Sequence, residues 1–177
     1  IITGGSKNGN VSSDAWLYDE GRATQLENMN HFRKDHTTIY NSGYVYVFGG
    51  SDRNGEVATA ERYSLLTKKW ETLPDLKHPR KMASVCNFGE DQIIIAGGFN
   101  GRHNKELDSV EILNTKTGRI AIKSYGMPEA LLCSSMVQIN PSEVVIIGGF
   151  NSKGISNRVH VLNVQTGKYV KRNNMDD

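Results

Sequence analysis

At 177 residues, with 37% hydrophobic and 23% charged side chains, the chain is long enough to bury a core and too apolar for a disordered segment. A formal net charge of +2 leaves no electrostatic footprint for nucleic acid, and the longest apolar runs, such as Ile93–Ala96, are far too short to span a membrane. Eighteen glycines against four prolines favour an all-β chain of tight turns over a helical one.

In chain order, Ile1-Ile2-Thr3 reads as a strand closing on Gly4-Gly5, followed by a loop over 6–10, the short strand Trp16-Leu17-Tyr18 and a turn to Gln25. A second pass runs from small and apolar residues at 37–40 through Tyr44–Phe48 to Gly49-Gly50. It continues through a loop at 51–56 to Glu61-Arg62-Tyr63 and Trp70. A third covers 83–88, Ile93–Ala96, Gly97-Gly98, the loop 99–104, Val110–Leu113, a turn at 114–118 and Ile120. The fourth covers 134–139, Val144–Ile147, Gly148-Gly149, the loop 151–154, Val159–Leu162, a turn at 163–167 and Tyr169. Counted between second glycines, the passes are 45, 48 and 51 residues long. Tyr18, Tyr63 and Leu162 stand thirteen residues after the second glycine and Leu113 fifteen, and Gln25, Trp70, Ile120 and Tyr169 stand seven further on. Such a period marks one supersecondary unit repeated, here four strands per unit, with no helix expected. The repeats span about 1–27, 33–73, 80–123 and 130–172.

Chemistry-bearing motifs are sparse. His31, His36, His78, His103 and His160 have no second ligand at metal-site spacing, and neither a nucleophile elbow nor a phosphate loop occurs. The chain is therefore expected to hold no metal or cofactor and not to be an enzyme. Cys86 and Cys133 lie in apolar or small-residue stretches and are expected to be buried, reduced thiols.

The four glycine pairs, Tyr63 with Trp70, and the phrase Leu107-Asp108-Ser109-Val110-Glu111 resemble the kelch-repeat family. The resemblance implies an all-β, kelch-type β-propeller, partial here, with about four blades of four antiparallel strands and the first blade incomplete. Gly4, Gly5, Gly49, Gly50, Gly97, Gly98, Gly148, Gly149, Tyr18, Tyr63 and Trp70 become its structural positions. The first repeat lacks an innermost strand and Asn173–Asp177 reads as the loop toward another, so further blades are expected outside this chain.

Kelch-like chains use two loop sets as a partner-binding face. The resemblance thus implies Arg33 and Arg80 before the inner strands, and Asp52, Arg53, Asn54, Asn100, Arg102, His103, Asn151 and Lys153 after the glycine pairs. The alternative for Arg33 and Arg80 is structural, tying one loop to the next, and the Asn-Gly-rich tips also fit plain turns. The implied partner is another protein presenting an acidic or phosphorylated segment, with no nucleic acid or membrane. BTB-kelch relatives suggest substrate recognition for a cullin-type ubiquitin ligase through flanking domains. A structural subunit of a cytoskeletal or other assembly is the second reading, and a copper oxidase of the galactose-oxidase type the third. A cytoplasmic location is expected.

Overall fold

The computed structural model describes residues 1–175, which fold as short antiparallel strands in two compact units, Ile1–Lys81 and a second starting at Met82. The alternation of branched or aromatic residues with glycine-bearing turns sets the strand lengths, two to seven residues.

In the first unit, β1 (Ile2–Thr3), β4 (Ala15–Asp19) and β5 (Arg22–Gln25) form a three-stranded sheet, while β2 (Ser6–Lys7) pairs with β3 (Asn10–Val11) as a separate ribbon. The next sheet has four strands: β6 (Thr37–Asn41), β7 (Tyr44–Phe48), β10 (Ala60–Ser64) and β11 (Trp70–Leu73), side by side in chain order. Between β7 and β10 a second ribbon, β8 (Ser51–Asp52) with β9 (Gly55–Glu56), stands apart. Ala15, Met29, Val47, Tyr63 and Trp70 form the core of this unit. Tyr63 and Trp70 are register partners with ring centroids 5.2 Å apart, and the indole N–H of Trp70 donates to the Glu27 carbonyl at 2.7 Å. Burial of the Trp70 ring therefore leaves no donor unpaired.

The second unit repeats the plan twice. β12 (Ser84–Phe88), β13 (Gln92–Ala96), β16 (Ser109–Asn114) and β17 (Ile120–Gly126) form one sheet, with β14 (Phe99–Asn100) and β15 (Lys105–Glu106) as its ribbon. β18 (Ser135–Asn140), β19 (Glu143–Ile147), β22 (Val159–Asn163) and β23 (Tyr169–Lys171) form the other, with the ribbon β20 (Phe150–Asn151) and β21 (Gly154–Ile155). Ile94, Val110 and Ile112 pack with Val144, Ile146 and Leu162 in one continuous cluster.

Each glycine pair follows the strand that leads into a ribbon, the first strand of the three-stranded sheet and the second strand of the others, at a close backbone crossing. Gly49 has φ +60°, and a Cβ there would collide with the Arg80 carbonyl, which accepts a hydrogen bond from the Gly50 amide at 2.8 Å. Only glycine tolerates both the left-handed backbone and the contact. The same crossing joins Gly5 to Arg33 and Gly98 to Leu131, each at 2.8 Å, so Arg33, Arg80 and Leu131 are equivalent positions. A further landmark follows in Met29, Leu76, Met127 and Met175, whose amides donate to the carbonyls of Ser13, Ala58, Asp108 and Asn157. The first three are buried, and Met29 and Met127 bring their methyl ends beside Gly4 and Gly97.

Several expectations need correction. The post-glycine segments are two-stranded ribbons rather than open loops, and the third is closed by one turn of 3-10 helix, Gly101–His103. That longer ribbon is why Leu113 falls two positions late. Tyr18, expected as a structural position like Tyr63, is 62% exposed near the end of β4, whereas Tyr63 is buried. Cys86 is buried, whereas Cys133 is exposed. Cys133 takes a left-handed φ of +53° at the turn into β18, where its neighbours Leu131 and Leu132 claim the interior. Of the expected loop Asn173–Asp177, Asp176 and Asp177 lie outside the described residues. No helix among the described residues is long and apolar enough to cross a membrane.

Candidate functional site

The ribbons lie at the glycine-pair end of each unit, and the second and fourth are anchored to the segment entering the first strand. Lys34 and Ser51 exchange backbone hydrogen bonds of 3.0 and 2.8 Å, and Leu132 and Phe150 bonds of 2.9 and 3.0 Å. Side chains add to this: the Asn151 amide donates to the Ala130 carbonyl at 3.0 Å. Tips on such a frame are fixed in place, as a recognition surface requires.

The two entry arginines are not on that surface. Arg33 is wholly buried; one guanidinium nitrogen donates to the Gly49 and Thr59 carbonyls at 2.6 and 2.9 Å. The other donates to the Thr59 hydroxyl at 3.1 Å and to Glu61 at 2.8 Å. Glu61, equally buried, also accepts the Asn30 amide at 2.8 Å. Burial pulls the Arg33 pKa down while the Glu61 charge opposes it, and the guanidinium stays ionised. Arg80 is 1% exposed and turns its Nε toward the His78 carbonyl at 3.4 Å. Both arginines thus serve as internal ties, which corrects their assignment to a partner. Asn100, only 3% exposed, leaves the surface for the same reason of burial.

The other expected residues do meet solvent. Arg53, Asn54, Arg102, His103 and Lys153 are exposed, and Asp52 and Asn151 partly so. Asp52 and Asn151 hold their own turns, accepting the amides of Asn54 and Lys153 at 2.6 and 2.9 Å. Arg53 reaches Asn10 at 3.5 Å and lies 6.0 Å over the ring of exposed Phe32, a cation–π contact. The structure thus joins the first two ribbons around Arg53, and the third and fourth through a contact no motif marked. The amide and hydroxyl of Ser152 donate to the two carboxylate oxygens of Glu106, at 2.5 and 3.2 Å.

Acids near the ribbons are largely spent. Glu56 pairs with Lys81 at 2.8 Å, Glu106 with Ser152, and Glu129 with Arg158 at 3.0 Å. His160 stands 3.4 Å from Glu129 and, by register, occupies the place that Glu61 has in the first unit. Where Leu131 replaces the entry arginine, the buried acid is replaced too. Phe32, Glu61, Glu106 and Glu129 were not singled out from sequence. The one usable signal was a lone carboxylate in the middle of an apolar strand, as at Glu111, whereas Glu61 stands beside Arg62 and carried no such mark. Among the described residues, no three His, Cys, Asp or Glu are grouped to hold a metal ion.

Comparison with known proteins follows the same lines. A family model of the kelch motif matches residues 33–77 and 79–119. Spermatocyte protein spe-26 of Caenorhabditis elegans is 26% identical over 168 residues, 92% of this chain and 28% of that protein. The human Kelch domain-containing protein 10 is 31% identical over 142 residues, covering 73% of this chain and 32% of its own length. An F-box/kelch-repeat protein of Arabidopsis thaliana is 32% identical over 90 residues, 50% of this chain and 24% of the relative. The solved structure of YjhT overlays with a TM-score of 0.76 at 14% identity, over 99% of this chain and 65% of that one. The likeness to YjhT is one of fold. This chain spans less than a third of the nematode and human relatives.

Proposed function

This chain is built of kelch repeats in a kelch-type propeller fold, and from that premise we propose that the ribbon ends of its two units, each by itself, take up an acidic or phosphorylated segment of a partner protein. Kelch repeats generally serve protein–protein interaction. The observation that carries the acidic partner is the imbalance at the ribbons. Arg53, Arg102, His103 and Lys153 are exposed, while Glu56, Glu106 and Glu129 are already held by groups of the chain itself. A planar guanidinium can meet a carboxylate or phosphate through two hydrogen bonds, which suits Arg53 and Arg102 to the task. The finer reading is substrate recognition for a cullin-type ubiquitin ligase in the cytoplasm. Its support is the resemblance to BTB-kelch proteins and a relative named for an F-box beside its kelch repeats.

The test starts from crosslinking and mass spectrometry to identify the bound protein, followed by titration at two salt concentrations. Exchanging Arg53 and Lys153 together for Glu should weaken binding about tenfold or more, and reduce its salt dependence. Unchanged affinity and salt dependence would remove the ribbon end from consideration.

A further inference from the structure

A cleft lies between the third and fourth ribbons. It has a volume of about 320 Å³ and is lined by Phe99, Asn104, Lys105, Glu106, Ala130 and Ser152. The repeat frame shows what opens it. Ser152 and Arg53 both stand three residues after the second glycine of their pair. Ala130 and Phe32 both precede the residue whose carbonyl accepts the glycine amide, Leu131 and Arg33. In the first unit that place is therefore filled from within, by the Phe32 ring with Arg53 over it. In the second unit the same two positions carry small side chains.

The two charges that line the cleft, Glu106 and Lys105, differ in how they are partnered. Glu106, its one acid, is committed to Ser152 and bridges the two ribbons. Lys105, its one cation, is exposed and has no partner among the described residues, and exposed Arg102 and His103 flank it along the ribbon. An apolar wall at Phe99 next to an unpaired ammonium group selects a ring beside an anion.

We propose that this cleft seats a partner segment carrying an aromatic side chain next to a carboxylate, the ring lying over Ala130 against Phe99 and the carboxylate facing Lys105. The proposal deepens the reading of the ribbon end as a protein-binding surface and rests on it. The preformed shape lowers the ordering cost of binding, and displacement of water from Phe99 and Ala130 supplies the apolar contribution.

The experiment is a titration of the 15N-labelled chain, followed by chemical-shift changes. The probe is the capped tripeptide acetyl-Glu-Phe-Glu-amide, with the Gln-Phe-Gln and Glu-Ala-Glu peptides as controls. The expected result is saturable changes centred on Phe99, Asn104, Lys105 and Ser152. Each control should bind roughly fivefold more weakly, the scale of one exposed ion pair or a partly buried ring. Ala130→Phe rebuilds the side chain that closes the first unit and should abolish the response. If that variant does not give a folded spectrum, Ser152→Arg and Lys105→Gln carry the same test. Changes scattered elsewhere, no saturation, or a folded closed variant that binds equally well would each overturn the proposal. A partner lost on exchange of Arg53 and Lys153 but kept by Ala130→Phe would sink the cleft while leaving the ribbon-end reading intact.

Discussion

Arg33→Leu should cost the first unit far more than a surface ion pair does. The side chain makes four hydrogen bonds, to Gly49, Thr59 (twice) and Glu61, and both charged partners are wholly buried. Its removal strands the Glu61 carboxylate, which among the described residues keeps the Asn30 amide alone. Breaking a buried pair from one side costs about 3–5 kcal/mol, against about 0–1 kcal/mol for an exposed pair. Glu61→Leu should cost a similar amount, because it leaves the guanidinium without its counter-charge. The double variant should lose much less than the sum, with a coupling of roughly 2 kcal/mol or more, since two apolar groups replace two mutually dependent charges. The backbone carbonyls of Gly49 and Thr59 still lose a donor, so some cost remains. Urea unfolding followed by tryptophan fluorescence measures all four proteins, and repeating it in molar salt should leave the coupling nearly unchanged because the pair is dry. Single-variant costs below about 1 kcal/mol, or costs that simply add, would refute the buried tie.

Three further outcomes are expected. His36 bonds the Thr3 hydroxyl at 2.9 Å and has its pKa pushed down to about 4, first by burial and then by the Arg33 charge. The fold thus favours neutral imidazole, so stability is full above the ordinary value of 6.5 and falls as pH drops toward 4, by up to about 3 kcal/mol. His36→Asn should flatten that slope in unfolding curves taken across the window, and a wild-type curve already flat would contradict it. Native alkylation with iodoacetamide should label exposed Cys133 and spare buried Cys86, whose thiol is pushed up to about 12. Peptide mass spectrometry reads the ratio, and equal labelling would show that the β12 environment opens. Gly49→Ala should destabilise by at least about 2 kcal/mol through its left-handed φ and the collision with Arg80. Gly55→Ala, where a Cβ meets nothing within 4 Å, should cost less in the same thermal melt.

Period and composition determined the four-strand unit and the all-β class, and the family resemblance they supported marked Gly49, Tyr63 and Trp70 as structural positions. Each follows from local sterics or from side chains repeated in register, both of which a linear sequence displays. Whether an arginine faces a partner or the interior is a different kind of question. Arg33 was marked as a candidate contact because its place before an inner strand was visible, but Thr59 and Glu61, which bury it, are brought to it only by the pairing of β10 with β7. Cys133 misled for a similar reason: its neighbours are apolar, and one left-handed residue turns its side chain away from theirs. The ribbon-end surface divides the same way. The charges on the tips were legible as residues, whereas the spending of Glu106 on Ser152 depends on two ribbons 46 positions apart in the chain. The cleft between those ribbons exists because Ala130 and Ser152 are small at the points where the third and fourth repeats approach, a juxtaposition that only tertiary packing creates.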